Sequence, residues 1–184
     1  MRLLIERRLR NLRKKILSFT NKMAYKLETT ELIDVTEDPV RPELSLEFRN
    51  QPGRTIYSLI DSDENRAATI CVAYTKMVPT TVRELEKFTD PNGHIAVAYT
   101  VWSKAKGAGR LIVNQLIAHA RKQDQISRVV TLSPLTEMAR RFHIKNGAVE
   151  LQMNPETVNF EYEIEKDSFW IQQLKKLKSK ISFV

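Results

Sequence analysis

The chain has few of the residues that build disulfides, zinc sites or serine-hydrolase sites. Cys71 is the single cysteine among 184 residues, so no intrachain disulfide can form and a reducing, cytoplasmic setting is expected. The three histidines do not have metal-ligand spacing, and one cysteine cannot complete a zinc pattern. No Gly-x-Ser-x-Gly segment occurs. These absences argue against a disulfide-rich secreted domain, a metal cofactor and a serine nucleophile elbow.

Long apolar runs are also missing. No stretch of about 18 apolar residues occurs, so the sequence predicts no transmembrane helix. The apolar content of 42% is enough, at this length, for one domain with a sizeable core. The net charge of +8 is unevenly spread, because residues 1–22 carry eight Lys or Arg and one acid, and residues 165–184 carry five Lys and two acids. The basic character therefore belongs to the two ends.

Both ends have the pattern of a basic amphipathic helix. Apolar residues recur at helical spacing in residues 1–22, namely Ile5, Leu9, Leu12 and Ile16, and the same pattern returns in residues 168–181. Such a helix either packs its apolar stripe on the domain or on a second copy, as in a homodimer, or it contacts a polyanion or an anionic membrane. We divide the chain into an N-terminal helix (1–22), a central domain (23–166) and a C-terminal helix (167–184).

The central domain has the pattern of a mixed α/β sheet. Alternation predicts a strand over 43–49, which a turn at 50–53 joins to a strand over 54–60 as a hairpin. A strand apolar on both faces follows at 66–74, and Thr81 and Glu84 predict a capping box for a helix ending at Phe88. The later elements are a strand at 95–102, a helix at 110–121, a strand at 128–132, a helix opening at Ser133-Pro134 and a strand at 158–164. This order is typical of a mixed sheet covered by helices.

A glycine-bearing loop joins the strand at 95–102 to the helix at 110–121. It reads Lys104-Ala105-Lys106-Gly107-Ala108-Gly109. A glycine turn at a helix N-terminus can direct several backbone N–H groups at one anion, which the helix dipole also favours. Arg110-Leu111 stands where a P-loop needs Lys followed by Ser or Thr, and the third glycine of a dinucleotide-binding loop is missing. The loop therefore indicates either an anion site of another kind or a tight turn that only needs glycine.

Two motifs resemble those of the GCN5-related N-acetyltransferase (GNAT) superfamily. The acetyl-CoA loop of that superfamily reads Gln/Arg-x-x-Gly-x-Gly/Ala, and its slots hold Lys104, Gly107 and Gly109. A second signature, Asn-x-x-Ala-x-x-x-Tyr-x-x-x-Gly-Phe, has its slots filled by Thr136, Ala139, His143, Gly147 and Ala148. The chain departs from these patterns with Lys for Gln or Arg, Thr for Asn, His for Tyr and Ala for Phe. Two motifs in the right order and spacing are more specific than either alone.

The resemblance implies a GNAT-like acyl-CoA N-acyltransferase fold, extended here by the two terminal helices. It also implies acetyl-CoA as co-substrate and direct acetyl transfer to an amine, which is a protein Lys, a protein N-terminus or a small amine. The alternative is a catalytically weak or inactive binding protein of this fold. Such a protein would use its basic ends, residues 1–22 above all, to contact nucleic acid, a membrane or a protein partner.

The resemblance also assigns the cofactor-binding residues by position. The loop amides from Ala105 to Arg110, which include Lys106, Gly107, Ala108 and Gly109, would hold the pyrophosphate. The side chains of Lys104, Lys106 and Arg110 would add positive charge. Backbone groups on the preceding strand would bind the pantetheine arm and polarise the thioester carbonyl, and these belong to Tyr99, Thr100 and Val101.

For the chemical step the resemblance singles out the second helix. His143 takes the slot of the superfamily's general acid, where it donates a proton to the thiolate or only packs. Thr136 and Arg140 share its helix face. No general base can be identified, and the candidates that precede the cofactor strand are Glu84, Glu86, Asp90 and His94.

Overall fold

The computed structural model describes residues 25–164. The predicted terminal helices, at 1–22 and 167–184, lie outside the described residues. The strands are Tyr25–Thr30 (β1), Arg54–Asp61 (β2), Arg66–Thr75 (β3), Ile95–Ser103 (β4), Arg128–Thr131 (β5), Ser133–Pro134 (β6), Ala148–Met153 (β7) and Thr157–Tyr162 (β8). The helices are Leu46–Arg49 (α1), Val82–Phe88 (α2), Ala108–Arg121 (α3) and Glu137–Lys145 (α4). None of these helices is long and apolar enough to cross a membrane.

The eight strands form one mixed sheet, as the sequence predicts. Strands β1 to β5 lie side by side in chain order. All neighbours are antiparallel except β4 and β5, which are parallel and joined through α3. Strand β8 pairs with β5, β6 and β7, each time antiparallel. The β4–α3–β5 crossover therefore lies in the middle of the sheet.

Both faces of the central strands are buried. Consecutive residues of β3 alternate between two core clusters, with Ile70 and Val72 in one and Cys71 and Ala73 in the other. The first cluster includes the predicted apolar stripe of α3, which consists of Ile112, Val113, Leu116, Ile117 and Ala120. The second lies on the opposite face, where Leu85 of α2 joins it. The prediction of a central strand apolar on both faces is confirmed.

The predicted strand at 43–49 is wrong, because its last four residues form α1. The Ser45 hydroxyl accepts a hydrogen bond from the Phe48 N–H at 3.1 Å and caps this helix. Arg49 is buried, and its Nη1 lies 2.8 Å from Asp38 Oδ2 in an ion pair with both side chains fully buried. The hairpin partner of β2 is consequently β3, and β1, which sequence reasoning missed, covers the other edge of β2.

The predicted helix start at Ser133-Pro134 is also wrong. These two residues form β6 and pair with Val158 and Thr157 of β8. Helix α4 begins at Glu137, because the Thr136 hydroxyl caps it by accepting the Ala139 N–H at 3.2 Å. At α2 the predicted cap is formed by Thr81.

Candidate functional site

The parallel strands β4 and β5 separate at their carboxyl ends. Their pairing runs from Ile95 and Arg128 to Ala98 and Thr131, and the Leu132 N–H then donates to the Ala98 carbonyl at 2.9 Å. Beyond this point the chain of β5 continues into β6, which pairs with β8 instead. Strand β4 also carries a bulge, because Cys71 pairs with Thr100 and Val72 with Ala98, which leaves Tyr99 between them. A gap between the two strands results.

A cavity of about 230 Å³ lies at this separation. Six of the predicted site residues line it, namely Tyr99, Thr100, Val101, Gly109, Thr136 and His143. Sequence reasoning missed further polar or aromatic lining residues, which are Trp102, Ser103, Thr131, Ser133, Phe142 and Tyr162. None of the lining residues in the described part of the chain is Asp, Glu, Lys or Arg. The cavity wall is therefore apolar, with a few hydroxyl groups and one imidazole.

The glycine loop stands at the N-terminus of α3. Gly107 has a φ of 84° and occupies the N-cap position, where glycine is favoured because a Cβ is strained at positive φ. A Cβ on Gly109 would lie 3.3 Å from the Ser103 hydroxyl oxygen, so a larger side chain would push into the cavity wall. Both motif glycines therefore have a physical reason for being glycine.

Part of the predicted set of loop amides is already used. The Ala105 N–H donates to the Ala67 carbonyl at 3.3 Å, and the Ala108 N–H donates to the Ala105 carbonyl at 3.1 Å. Within residues 25–164, no backbone acceptor engages the remaining loop amides, which belong to Lys106, Gly107, Gly109 and Arg110. Four N–H groups at a helix N-terminus are thus left for an anion.

Of the three cations predicted beside the loop, one is likewise already paired. Lys104 Nζ lies 2.5 Å from Glu37 Oε1, so this predicted cation already has a carboxylate partner. Lys106 and Arg110 are exposed and have no carboxylate within 4.0 Å among the residues that the structure describes. These two side chains are the cations that remain for a phosphate group near the free amides.

His143 lies in a buried row of hydrogen-bonding groups at the cavity. Its Nε2 is 2.9 Å from Ser133 Oγ, and its Nδ1 is 2.8 Å from the Tyr162 hydroxyl. Its ring stacks on Phe160 with the centroids 4.9 Å apart. Burial lowers the pKa of His143 to about 4, so the imidazole is neutral near pH 7.

The hydrogen-bond directions in this row follow from its far end. The Ser133 hydroxyl donates to Thr131 Oγ1 at 3.0 Å, so the Ser133 oxygen accepts from the Nε2–H of His143. In that tautomer Nδ1 accepts from the Tyr162 hydroxyl. In the row Tyr162–His143–Ser133–Thr131 each group therefore donates a hydrogen bond to the next one. A ligand oxygen near Ser133 can accept the hydrogen bond of the Ser133 hydroxyl in place of Thr131.

The sequence does not predict Ser133 and Tyr162 as site residues, and the reason is physical. The sequence predicts a helix start at Ser133, and only the pairing of Ser133 with β8 brings it beside His143. Tyr162 lies 19 residues beyond His143 and meets it through the same strand. A signal was available at Ser133, because a hydroxyl directly after a buried parallel strand stands at the sheet edge where ligands bind.

The other predicted polar residues lie away from the cavity. Arg140 pairs with Glu150, with Nε 3.1 Å from Oε2, and does not line the cavity. None of the four candidate bases, which are Glu84, Glu86, Asp90 and His94, lines it either. Glu84 accepts from the Thr80 N–H at 2.8 Å, and Asp90 pairs with Lys76. The described residues therefore place no carboxylate base in the cavity.

No protein-family model matches the sequence, and no curated protein matches it. Solved structures do resemble the fold. The loading GNATL domain of CurA from Lyngbya majuscula has a TM-score of 0.61 at 14% identity, over 76% of this chain and 98% of that one. AAC(6')-Ib in complex with acetyl-CoA has a TM-score of 0.55 at 14% identity, over 75% of this chain and 92% of that one.

A third resemblance is to malonyl-CoA decarboxylase from Agrobacterium vitis. It has a TM-score of 0.55 at 18% identity and covers 75% of this chain. This chain spans 40% of that longer protein. At 14% and 18% identity these likenesses show the fold alone. The predicted GNAT fold of the chain is thereby confirmed.

Proposed function

We propose that this chain binds a coenzyme A thioester and decarboxylates a malonyl-type acyl group beside Ser133 and His143. The observation that carries the proposal is a buried Ser133 hydroxyl, hydrogen-bonded to a neutral His143, in a cavity whose described lining has no carboxylate base. The free amides of Lys106, Gly107, Gly109 and Arg110 would hold the pyrophosphate. The pantetheine arm would lie in the gap between β4 and β5.

The reaction needs donors rather than a base. The bond between the α-carbon and the carboxylate breaks, CO₂ leaves, and the electron pair moves to the thioester as an enolate. A hydrogen bond from the Ser133 hydroxyl, which itself accepts from the Nε2–H of His143, would stabilise the enolate oxygen, because donors aimed at developing charge act strongly in a dry cavity. The α-carbon then takes one proton, delivered through this pair and replaced from solvent, which gives acetyl-CoA.

The apolar wall favours the same step. A carboxylate placed among uncharged side chains loses its hydration, whereas neutral CO₂ does not need it. Two solved structures that resemble this fold are decarboxylases by name. One is the malonyl-CoA decarboxylase above, and the other is the GphF GNAT-like decarboxylase in complex with isobutyryl-CoA, with a TM-score of 0.50, 15% identity and coverage of 60% of this chain and 78% of that one.

The second candidate is the one that the motifs imply, acetyl transfer from acetyl-CoA to an amine. The position of His143 in the general-acid slot, with its ring at the cavity, favours it. An attacking amine must lose a proton, however, and an imidazole with a pKa of about 4 is a weak base for an ammonium group. For this reason we rank decarboxylation first.

The two activities leave different products, so one set of reactions separates them. The full chain is incubated with malonyl-CoA alone, and separately with acetyl-CoA plus a panel of amines. Decarboxylation yields CO₂ and acetyl-CoA without a free thiol, whereas amine acetylation releases the CoA thiol. We expect the first result, and we expect Ser133→Ala and His143→Gln to slow it by about 100-fold or more.

Ser62→Ala and His94→Gln are matched controls, because both residues are exposed and lie outside the cavity. Thiol release that depends on an amine would overturn decarboxylation in favour of the second candidate. Tight binding of both thioesters with neither product would identify a binding protein instead.

A further inference from the structure

Arg41 joins the backbones of the two strands at the point where they separate. Its Nε donates to the carbonyl of Tyr99, the bulged residue of β4, at 2.9 Å. Its Nη2 donates to the carbonyl of Leu132, which directly follows β5, at 3.1 Å. The described cavity lining includes Tyr99 but not Arg41. The guanidinium therefore acts on the two strands and not on the contents of the cavity.

The Leu132 carbonyl is the acceptor that would continue the pairing of β4 and β5. The last backbone bond between them runs from the Leu132 N–H to the Ala98 carbonyl. In a continued parallel ladder the Leu132 carbonyl would accept the next N–H of β4, whereas here it accepts from Arg41. The bond after that would need an N–H from Pro134, which has none. The ladder therefore ends where Arg41 takes the acceptor and proline removes the next donor.

The segment that carries Arg41 is itself held against the bulge. Asp38 Oδ1 accepts from the Arg41 N–H at 3.2 Å and from the Thr100 hydroxyl at 2.8 Å. The Arg41 carbonyl accepts from Arg49 Nη2 at 2.7 Å, and Arg49 forms the buried ion pair with Asp38. The negative charges of Glu43 and Asp38 offset part of the charge of Arg41. A guanidinium fixed in this way can hold two backbone segments at a set distance.

We propose that Arg41 is a positioning residue that holds β4 and β5 apart, so that the pantetheine arm of the thioester can lie between them. This inference rests on the thioester site of the proposed function, and it gives Arg41 no contact with the ligand. Without Arg41 the Leu132 carbonyl loses its donor, and a backbone N–H of β4 is the substitute that a continued ladder would supply. Because Leu132 directly precedes Ser133, the same bond also keeps the Ser133 hydroxyl beside the gap.

The test compares two ligands, of which only one needs the gap. Acetyl-CoA carries the pantetheine arm, whereas adenosine 3′,5′-bisphosphate is the nucleotide part of coenzyme A without that arm. Both are titrated by calorimetry into the full wild-type chain and into Arg41→Met. We expect Arg41→Met to weaken acetyl-CoA binding by about 30-fold or more, and the Kd for the bisphosphate to stay within about twofold.

A merely structural role of Arg41 predicts a different pattern. General loosening of the fold would weaken the binding of both ligands, and urea unfolding would show the loss of stability. Equal weakening of both ligands in Arg41→Met would therefore overturn the inference, and so would unchanged binding of acetyl-CoA.

Two further variants guard against a loss of folding. Arg41→Gln is the smaller change, because it keeps an N–H donor for one strand carbonyl but cannot bridge two. It should show the same contrast between the ligands, and wild-type binding of both would overturn the inference. Arg54→Met removes another buried arginine, whose Nη1 donates to the Phe48 carbonyl rather than to β4 or β5. It should bind both ligands like the wild-type chain, and the same contrast in this control would also overturn the inference.

The outcomes separate this inference from the proposed function. If Arg41→Met shows the contrast while the wild-type chain releases no CO₂ from malonyl-CoA, the positioning role stands and only the reaction falls. If the wild-type chain releases CO₂ while Arg41→Met binds acetyl-CoA unchanged, decarboxylation stands and the positioning role falls.

Discussion

His143 has the surroundings that most constrain the chemistry of the site. Its side chain is 5% exposed and lies between two hydroxyl groups and the ring of Phe160. Burial alone lowers its pKa, and the described residues place no carboxylate against it that would restore the charged form. A neutral imidazole of this kind can orient and donate a hydrogen bond, but it is a poor base. The residue type was visible in the sequence, whereas its protonation state follows only from its burial.

We predict that the buried His143 makes the fold less stable in acid. Its pKa is about 4 in the folded chain and 6.5 as a model value, so the unfolded chain binds the extra proton first as the pH falls. The free energy of unfolding should therefore fall between about pH 6.5 and pH 4, by roughly 3 kcal/mol from this residue. Urea unfolding at several pH values measures this loss.

His143→Gln should show a shallower fall in the same window, whereas His94→Gln, at an exposed position, should follow the wild-type curve. An identical pH dependence in His143→Gln and the wild-type chain would contradict the assignment of this effect to His143.

At the scale of elements, long and regular patterns were predictable, and short ones were not. The buried strand β3 and the 14-residue helix α3 each have many residues in one pattern, so tertiary contacts do not change the outcome. The segment 43–49 has only three alternating apolar residues, and the Ser45 cap with the burial of Arg49 turned part of it into α1. Strand β6 depends on its partner β8, which local sequence does not specify.

The same distinction applies to the site. The loop and His143 could be found from motif spacing, because both belong to single elements. Ser133 and Tyr162 could not, because each joins the site through strand pairing with residues farther along the chain. Pairing across a sheet sets these contacts, and one sequence does not record it.

We predict that Gly109→Glu abolishes acyl-CoA binding through the start of α3. The new side chain would begin 3.3 Å from the Ser103 oxygen and 3.5 Å from the Phe142 ring. It would bring negative charge to the free loop amides, where we place the pyrophosphate. Binding of acetyl-CoA, measured by calorimetry, should weaken on the order of 100-fold or more.

Ala118→Glu adds the same side chain at an exposed position on the same helix, so it should bind like the wild-type chain. Retained binding in Gly109→Glu would show that the loop does not hold the cofactor.

At the scale of the whole molecule, the excess positive charge and the cavity belong to different parts of the sequence. The described domain carries the cavity, whereas the excess of positive charge comes from residues 1–22 and 165–184. A polyanion and an acyl-CoA would therefore contact different parts of the chain. This separation gives the basic ends a testable role of their own.

We predict that deletion of residues 1–22 lowers the salt concentration at which the protein elutes from heparin, because eight Lys or Arg are lost with one acid. The Kd for acetyl-CoA should not change. Leu9→Gln with Leu12→Gln keeps every charge and alters only the apolar stripe, so it should elute like the full chain. Unchanged elution after the deletion would contradict the polyanion role.

A concentration series of the solution mass, with and without residues 1–22, tests the homodimer.

The cavity wall includes Trp102, one of two tryptophans in the chain, at 8% exposure. The other, Trp170, lies outside the described residues. With Trp170→Phe, the ultraviolet emission of the protein would come from a single indole beside the gap between β4 and β5. A thioester that binds there would displace water from that indole and change the wavelength and the intensity of its fluorescence emission. Trp102 is thus an intrinsic fluorescence probe of thioester binding, which requires neither a label nor turnover.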